Sequence, residues 1–301
     1  GAGIGFGYVC PLSTCVKWFP KYKGLVTGIS VAGFGGGAIL LSSFANSLLK
    51  QGLNVLEVFY KVGLYSGLII IFCALFLSLP GETSDDKKQK AIPLAELLKQ
   101  KKFWTLFLGM FAGTFSGLLV IGNIQHMAVS ANLSPQTALF AISALSIGNA
   151  AGRLSWGALS DRLKKKVIPL SLLFLGIVIL LLIPSAFSAP FFLLTAGAVG
   201  FGFGGCFVIY TANTAERYGV NAISSVYPLV FLSYGLSGIL GPTLGGYFYD
   251  LTGNYITSVL IAAFVIFSGH TGIYLMESSR KPSATPVPVK TITELPEALA
   301  E

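Results

Sequence analysis

Long apolar runs separated by short polar connectors recur along the whole chain. A helix crossing a bilayer needs about 20 mostly apolar residues, with a range of roughly 17–25. Nine runs meet that measure: 1–17, 24–48, 57–80, 103–127, 135–158, 167–187, 190–213, 222–248 and 255–276. The pattern predicts an all-α membrane protein with nine transmembrane helices. Only Ser188 and Ala189, after Pro184, part the sixth span from the seventh. The connector 81–102 is the longest and most polar. Its first half, GETSDDKKQK, reads as solvated; its second, IPLAELLKQKKF, reads as a short amphipathic helix on the membrane surface. Residues 277–301 are polar and carry Pro282, Pro286, Pro288 and Pro296, so they are expected to be disordered.

Composition agrees with this reading. The chain is 53% hydrophobic and 11% charged, with a mean hydropathy of +0.75, whereas soluble domains carry about 25% charged residues. Its 36 glycines suit helices that meet in lipid, where association depends on close backbone approach. The net charge of +8 does not point to nucleic acid, because the basic residues sit in the connectors. Cys10, Cys15, Cys73 and Cys206 lie in or beside apolar runs without metal or disulfide spacing. Neither a nucleotide loop nor a nucleophile–base pair is visible. The Gly3–Gly7 run sits inside an apolar helix with no strand before it. The expectation is therefore a protein that is not an enzyme and needs neither metal nor cofactor.

The charges also orient the chain. Connectors facing the cytoplasm carry the Lys/Arg excess. Alternate connectors hold 17 of the 20 basic residues, and the opposite set holds only Lys50 and Lys61. This predicts a multi-pass cell-membrane protein with its first residue outside and its C-terminus in the cytoplasm.

An internal echo suggests how the spans are grouped. Gly3-x-Gly5-Phe6-Gly7 recurs as Gly200-x-Gly202-Phe203-Gly204, so the first span matches the seventh. Glycines 33, 35, 36 and 37 are echoed by 238, 241, 245 and 246. A repeat unit then has six spans, three lying before the long connector and six after it. The expected organisation is a three-span part over 1–80, a cytoplasmic loop over 81–102, a six-helix bundle over 103–276 and a cytoplasmic tail over 277–301. On this reading the chain is equivalent to helices four to twelve of a twelve-helix protein.

Several motifs then narrow the family. Gly157-Ala-Leu-Ser-Asp161-Arg162-x-Lys164-Lys165-Lys166 resembles the signature loop of the major facilitator superfamily, G-x-x-x-D-R-x-G-R-R, with Lys164 in place of the glycine. Gly241-Pro242-x-x-Gly245-Gly246 is similar to a Gly-Pro helix element of that superfamily. Lys17-Trp18-Phe19-Pro20-x-x-Lys23-Gly24-x-x-Thr27-Gly28 and Asn149-x-x-Gly152-Arg153-x-x-Trp156-Gly157 resemble its oxalate/formate antiporter and monocarboxylate carrier branch. Oxalate-type members place a lysine in helix eleven, and span 222–248 has no Lys or Arg. The resemblance thus implies a monocarboxylate such as lactate, pyruvate or formate before oxalate.

Arg153 is the one charged residue placed well inside a span, about 12 Å of helix before Asp161. A central charge costs at least ~2.5 kcal/mol, so it needs a use or a partner. A guanidinium facing a cavity can bind a carboxylate bidentately; snorkelling to the cytoplasmic face is the plain alternative. Asn149 lies one turn earlier on the same face. Tyr8 and Tyr210, in the two matched spans, and Tyr234 can donate hydroxyl bonds to a carboxylate or simply pack. His126, near the outer end of its span, is the proton-coupling candidate; for both it and His270 a packed neutral ring is the alternative. Gly157, Asp161, Arg162, Gly241 and Pro242 are expected to shape and gate the helices.

The expected function is secondary transport of small organic anions by alternating access, as a monomer, with proton symport or anion exchange. The alternatives are a carrier of another small solute and a membrane sensor on the same fold that transports nothing.

Overall fold

The structure, a computed structural model, describes residues 2–78 and 92–278. The expected solvated segment 81–90 and nearly all of the expected tail lie outside those residues. Nine long helices occur among them: α1 (Ala2–Trp18), α2 (Lys23–Lys50), α3 (Val55–Ala74), α5 (Lys101–Ser130), α6 (Pro135–Leu163), α7 (Val167–Ser185), α8 (Ala189–Tyr218), α9 (Ile223–Thr252) and α10 (Ile256–Ser278). They fall where the nine spans were predicted. The amphipathic segment forms only the single-turn α4 (Leu94–Leu98). There Leu97 is buried, and the Trp104 indole donates to the Leu98 carbonyl at 2.7 Å. No strand occurs among the described residues.

Among the described residues, six continuous segments are long and apolar enough to cross a membrane. One of them, Pro135–Ser185, contains both α6 and α7. With 17 residues α1 is short, and neither it nor α2 is among the six.

Local chemistry sets the helix ends. Asn54 and Glu57 form a reciprocal capping box at the start of α3. Ser134 caps α6, with Pro135 in the first turn. Gly253 ends α9 with a φ of 71°. The end of α6 is less comfortable. Lys164 there has φ 51° and ψ −122°, a conformation that suits glycine. This is the position where the resembling motif carries glycine.

Helices α5 to α10 enclose the main core, with Leu106, Met110, Leu119, Ile168, Leu172 and Phe192 fully or almost fully buried. The central member, α8, buries side chains along most of its length. It crosses α6 so closely that a Cβ on Gly152 or Gly204 would strike the carbonyl oxygen of Phe201 or Asn149. Helix α2 leans on α6 and α8, whereas α1 touches α2 and α9. Of α3 only Val58 is buried, and its Phe59, Leu68, Ile69 and Ile71 are exposed. In a bilayer that surface is stable without a protein neighbour.

Candidate functional site

The site lies where α1 and α2 meet α6, α8 and α9. Arg153, on α6, is half-buried and reaches across to α2, where its Nη1 donates to the carbonyl oxygen of Val31. Its guanidinium carbon stands 5.6 Å from the ring centre of Phe207 on α8, a cation–π distance. Nε is buried and has no hydrogen-bond partner among the described residues. No carboxylate pairs with Arg153 among those residues: the ion pairs there are Lys23–Glu216 and Arg217–Glu277.

A cluster of aromatic rings extends from Phe207, the ring beside this guanidinium. Phe231 on α9 stacks on Tyr8 of α1 at 4.9 Å and lies 5.1 Å from Tyr234. Tyr234 meets Phe207 edge-on at 5.1 Å, and Phe207 meets Phe203 at 5.3 Å. Phe207 also lies 6.3 Å from Phe231, so Tyr8 and Tyr234 belong to one ring cluster with the Phe207 that faces Arg153. The result is one positive charge with spare donors, two tyrosines beside it and an apolar wall.

The predicted residues divide into those that converge and those that do not. Arg153, Tyr8 and Tyr234 come together. Asn149 keeps its place one turn from Arg153, half-exposed, and its side chain makes no hydrogen bond among the described residues. Tyr210 does not join them. It is fully buried between α8, α5 and α10, where a Cβ on Gly109 would meet its hydroxyl at 2.7 Å and Ile273 at the same distance. That hydroxyl also has no partner among the described residues. His126 is exposed near the end of α5, beside a shallow cavity of about 190 Å³ that Gln125, Ile142 and Leu145 also line. His270 Nδ1 bonds the Pro169 carbonyl oxygen at 2.9 Å. Phe207, Phe231 and the Val31 carbonyl were not anticipated. The chain has 23 phenylalanines, so none stands out by type.

The motif residues sit at the basic end of the helices. Asp161 accepts from the backbone N–H of Gly24 at 2.7 Å and of Leu25 at 3.0 Å. A carboxylate of α6 thus caps the first turn of α2, whose own residue Tyr22 gives no side-chain cap. Lys23 pairs with Glu216 of α8 at 3.3 Å. Glycine lets the two helices touch: a Cβ on Gly157 would lie 2.6 Å from the Gly24 carbonyl oxygen, and one on Gly28 2.6 Å from that of Arg153. Arg162 is exposed. Gly241 and Pro242 pack on α5, where Asn123 donates to the Pro242 carbonyl oxygen at 3.3 Å. Toward the other end the helices part. Gly33 and Gly37 on α2, with Gly235 and Gly238 on α9, have no described atom within 4 Å of where a Cβ would stand. The helices α2 and α6 are therefore in backbone contact near the basic end, a contact these four glycines do not make.

Known proteins resemble this arrangement in sequence and in fold. The profile of the Major Facilitator Superfamily matches residues 106–299. An uncharacterized MFS-type transporter, YhjX, of Escherichia coli K12 is 31% identical over 247 residues, covering 79% of this chain and 61% of the relative. The oxalate:formate antiporter of Oxalobacter formigenes is 26% identical, with 89% of this chain and 65% of the relative covered. Monocarboxylate transporter 11 of mouse is 26% identical, with 89% and 63% covered. The chain thus spans a little over three fifths of the length of these relatives. In fold it is similar to the fucose:proton symporter FucP in its outward conformation. The TM-score is 0.63 at 15% identity, covering 90% of this chain and 72% of that one.

Proposed function

Because the chain belongs to the major facilitator superfamily, we propose that it carries small organic anions across a cell membrane by alternating access. Monocarboxylates such as lactate, pyruvate or formate fit better than oxalate. The single observation that carries this reading is Arg153, a guanidinium beside the Phe207 ring with no carboxylate partner among the described residues. One positive charge matches one carboxylate. The Phe207, Phe231 and Tyr8 rings suit a short apolar tail, and the hydroxyls of Tyr8 and Tyr234 suit its polar oxygens. The names of two relatives, an oxalate:formate antiporter and a monocarboxylate transporter, support the same substrate class.

Asp161, Gly157, Gly24 and the Lys23–Glu216 pair then form the inner gate, closed here. The Lys/Arg asymmetry supports placing that basic end in the cytoplasm, with the first residue outside. His126, exposed and outside the Arg153 cluster, remains the candidate through which outer pH acts on transport.

The test is uptake of labelled lactate by cells making Arg153→Ala or Arg153→Lys at matched protein levels. Alanine is expected to abolish uptake. Lysine is expected to weaken binding strongly, because it keeps the charge and loses the planar fork. Uptake by Arg153→Ala within about twofold of wild type would make Arg153 structural and remove the reading's main support.

A further inference from the structure

The contact between Arg153 and Val31 bears on how an empty site is held shut. Val31 lies on α2 and Arg153 on α6, so this bond ties two helices that must separate for the basic end to open. A main-chain carbonyl has two lone pairs, so Val31 can serve its own helix and a guanidinium together. Nε of Arg153 is enclosed. The fork open to an incoming carboxylate is therefore the Nη1–Nη2 edge, and the Val31 oxygen already stands on Nη1. A carboxylate is the stronger acceptor, being charged and able to take both nitrogens. Toward the basic end the two helices also meet at Gly28, Gly24 and Gly157 and through the Asp161 cap.

We propose that the Val31 carbonyl is a built-in competitor for the substrate carboxylate at Arg153: it ties α2 to α6 while the site is empty, and an arriving anion displaces it. The inference rests on the reading of Arg153 as the anion-binding residue and adds a positioning group to it. It has a kinetic consequence. An empty carrier stays shut at its basic end, so anion exchange runs faster than net flux.

The test weakens that carbonyl alone. Lactic acid in place of Ala32 turns the Val31–Ala32 amide into an ester, whose carbonyl is a poorer acceptor, while every side chain, the methyl at 32 included, stays in place. The same replacement at Ala45, on α2 far from Arg153, is the control for the lost N–H. The full-length protein in lipid nanodiscs is examined in two ways. Lactate affinity is measured by titration. The width of the basic end is read from spin labels at Lys21→Cys and Lys165→Cys, both exposed positions on opposite sides of the seam.

If Val31 competes, the ester at 32 should tighten lactate binding by about three- to tenfold, because a state that excludes substrate has been destabilised. It should also widen the label distance without lactate, and the ester at 45 should do neither. A carbonyl that merely steadies the guanidinium predicts the opposite sign, weaker binding. Weaker or unchanged binding, or an unaltered distance in the empty protein, overturns the inference. Failure of the underlying reading looks different: the wild-type protein would then bind no monocarboxylate at all, whatever the ester did to the label distance.

Discussion

At the scale of single residues, Tyr210 and Phe207 show how position outweighs type. Both lie on α8, three residues apart. Phe207 faces Arg153, and Tyr210 faces α5 and α10. Replacing Phe207 with leucine keeps an apolar wall and removes the π face. A desolvated cation–π contact is worth about 0.5–2 kcal/mol, so lactate affinity should fall by roughly two- to thirtyfold. Titration of the purified variant checks this, and unchanged affinity would mean that the ring is only packing. Tyr210→Phe should leave affinity within about twofold and stability equal or slightly higher, because it deletes a buried hydroxyl that has no partner among the described residues. A large loss of affinity in Tyr210→Phe, with folding intact, would bring that tyrosine back into the binding site. The sequence marked Arg153 because a charge inside an apolar run is conspicuous. It could not mark Phe207, which resembles every other phenylalanine in a span.

At the scale of helices, the Asp161 cap is the contact with the largest consequence. Removing a side-chain cap costs about 0.5–2 kcal/mol, and this one joins two helices 137 residues apart in sequence. Asp161→Ala should therefore shift the protein toward a state open at its basic end. Asn213 is 2% exposed and lines the cavity at that end with Lys21, Asp161 and Glu216. A cysteine there should react slowly in the otherwise wild-type protein and several times faster beside Asp161→Ala. Equal rates would show that the cap does not hold the gate. The end of α6 offers a change of opposite sign. Lys164→Gly relieves a left-handed residue, a strain of about 1 kcal/mol, and should raise the unfolding temperature in detergent. A fall would mean that the lysine side chain offsets its backbone.

At the scale of the whole molecule, the testable quantity is topology. Asn132 at the α5–α6 turn and Lys165 between α6 and α7 lie at opposite ends of α6. In intact cells an impermeant thiol reagent should label Asn132→Cys and spare Lys165→Cys; the reverse pattern would invert the orientation drawn from the Lys/Arg asymmetry. Much at this scale was legible from one dimension. The length of each apolar run sets a bilayer helix, and nine runs became nine long helices. Motifs spaced along the chain were enough to indicate the superfamily that the profile match then established. What sequence could not supply is the rotation of each helix about its axis. In a soluble bundle a polar face marks the outside, but lipid and protein core are both apolar, so no such stripe survives on α8 or α9. Tyr8 and Tyr210 lie in the two matched spans, yet only packing decided that one stacks on Phe231 and the other turns into the bundle. The Val31 carbonyl and the N–H groups of Gly24 and Leu25 carry no side-chain signature at all. They became partners of Arg153 and Asp161 only because glycines allow α2 and α6 to approach within backbone contact.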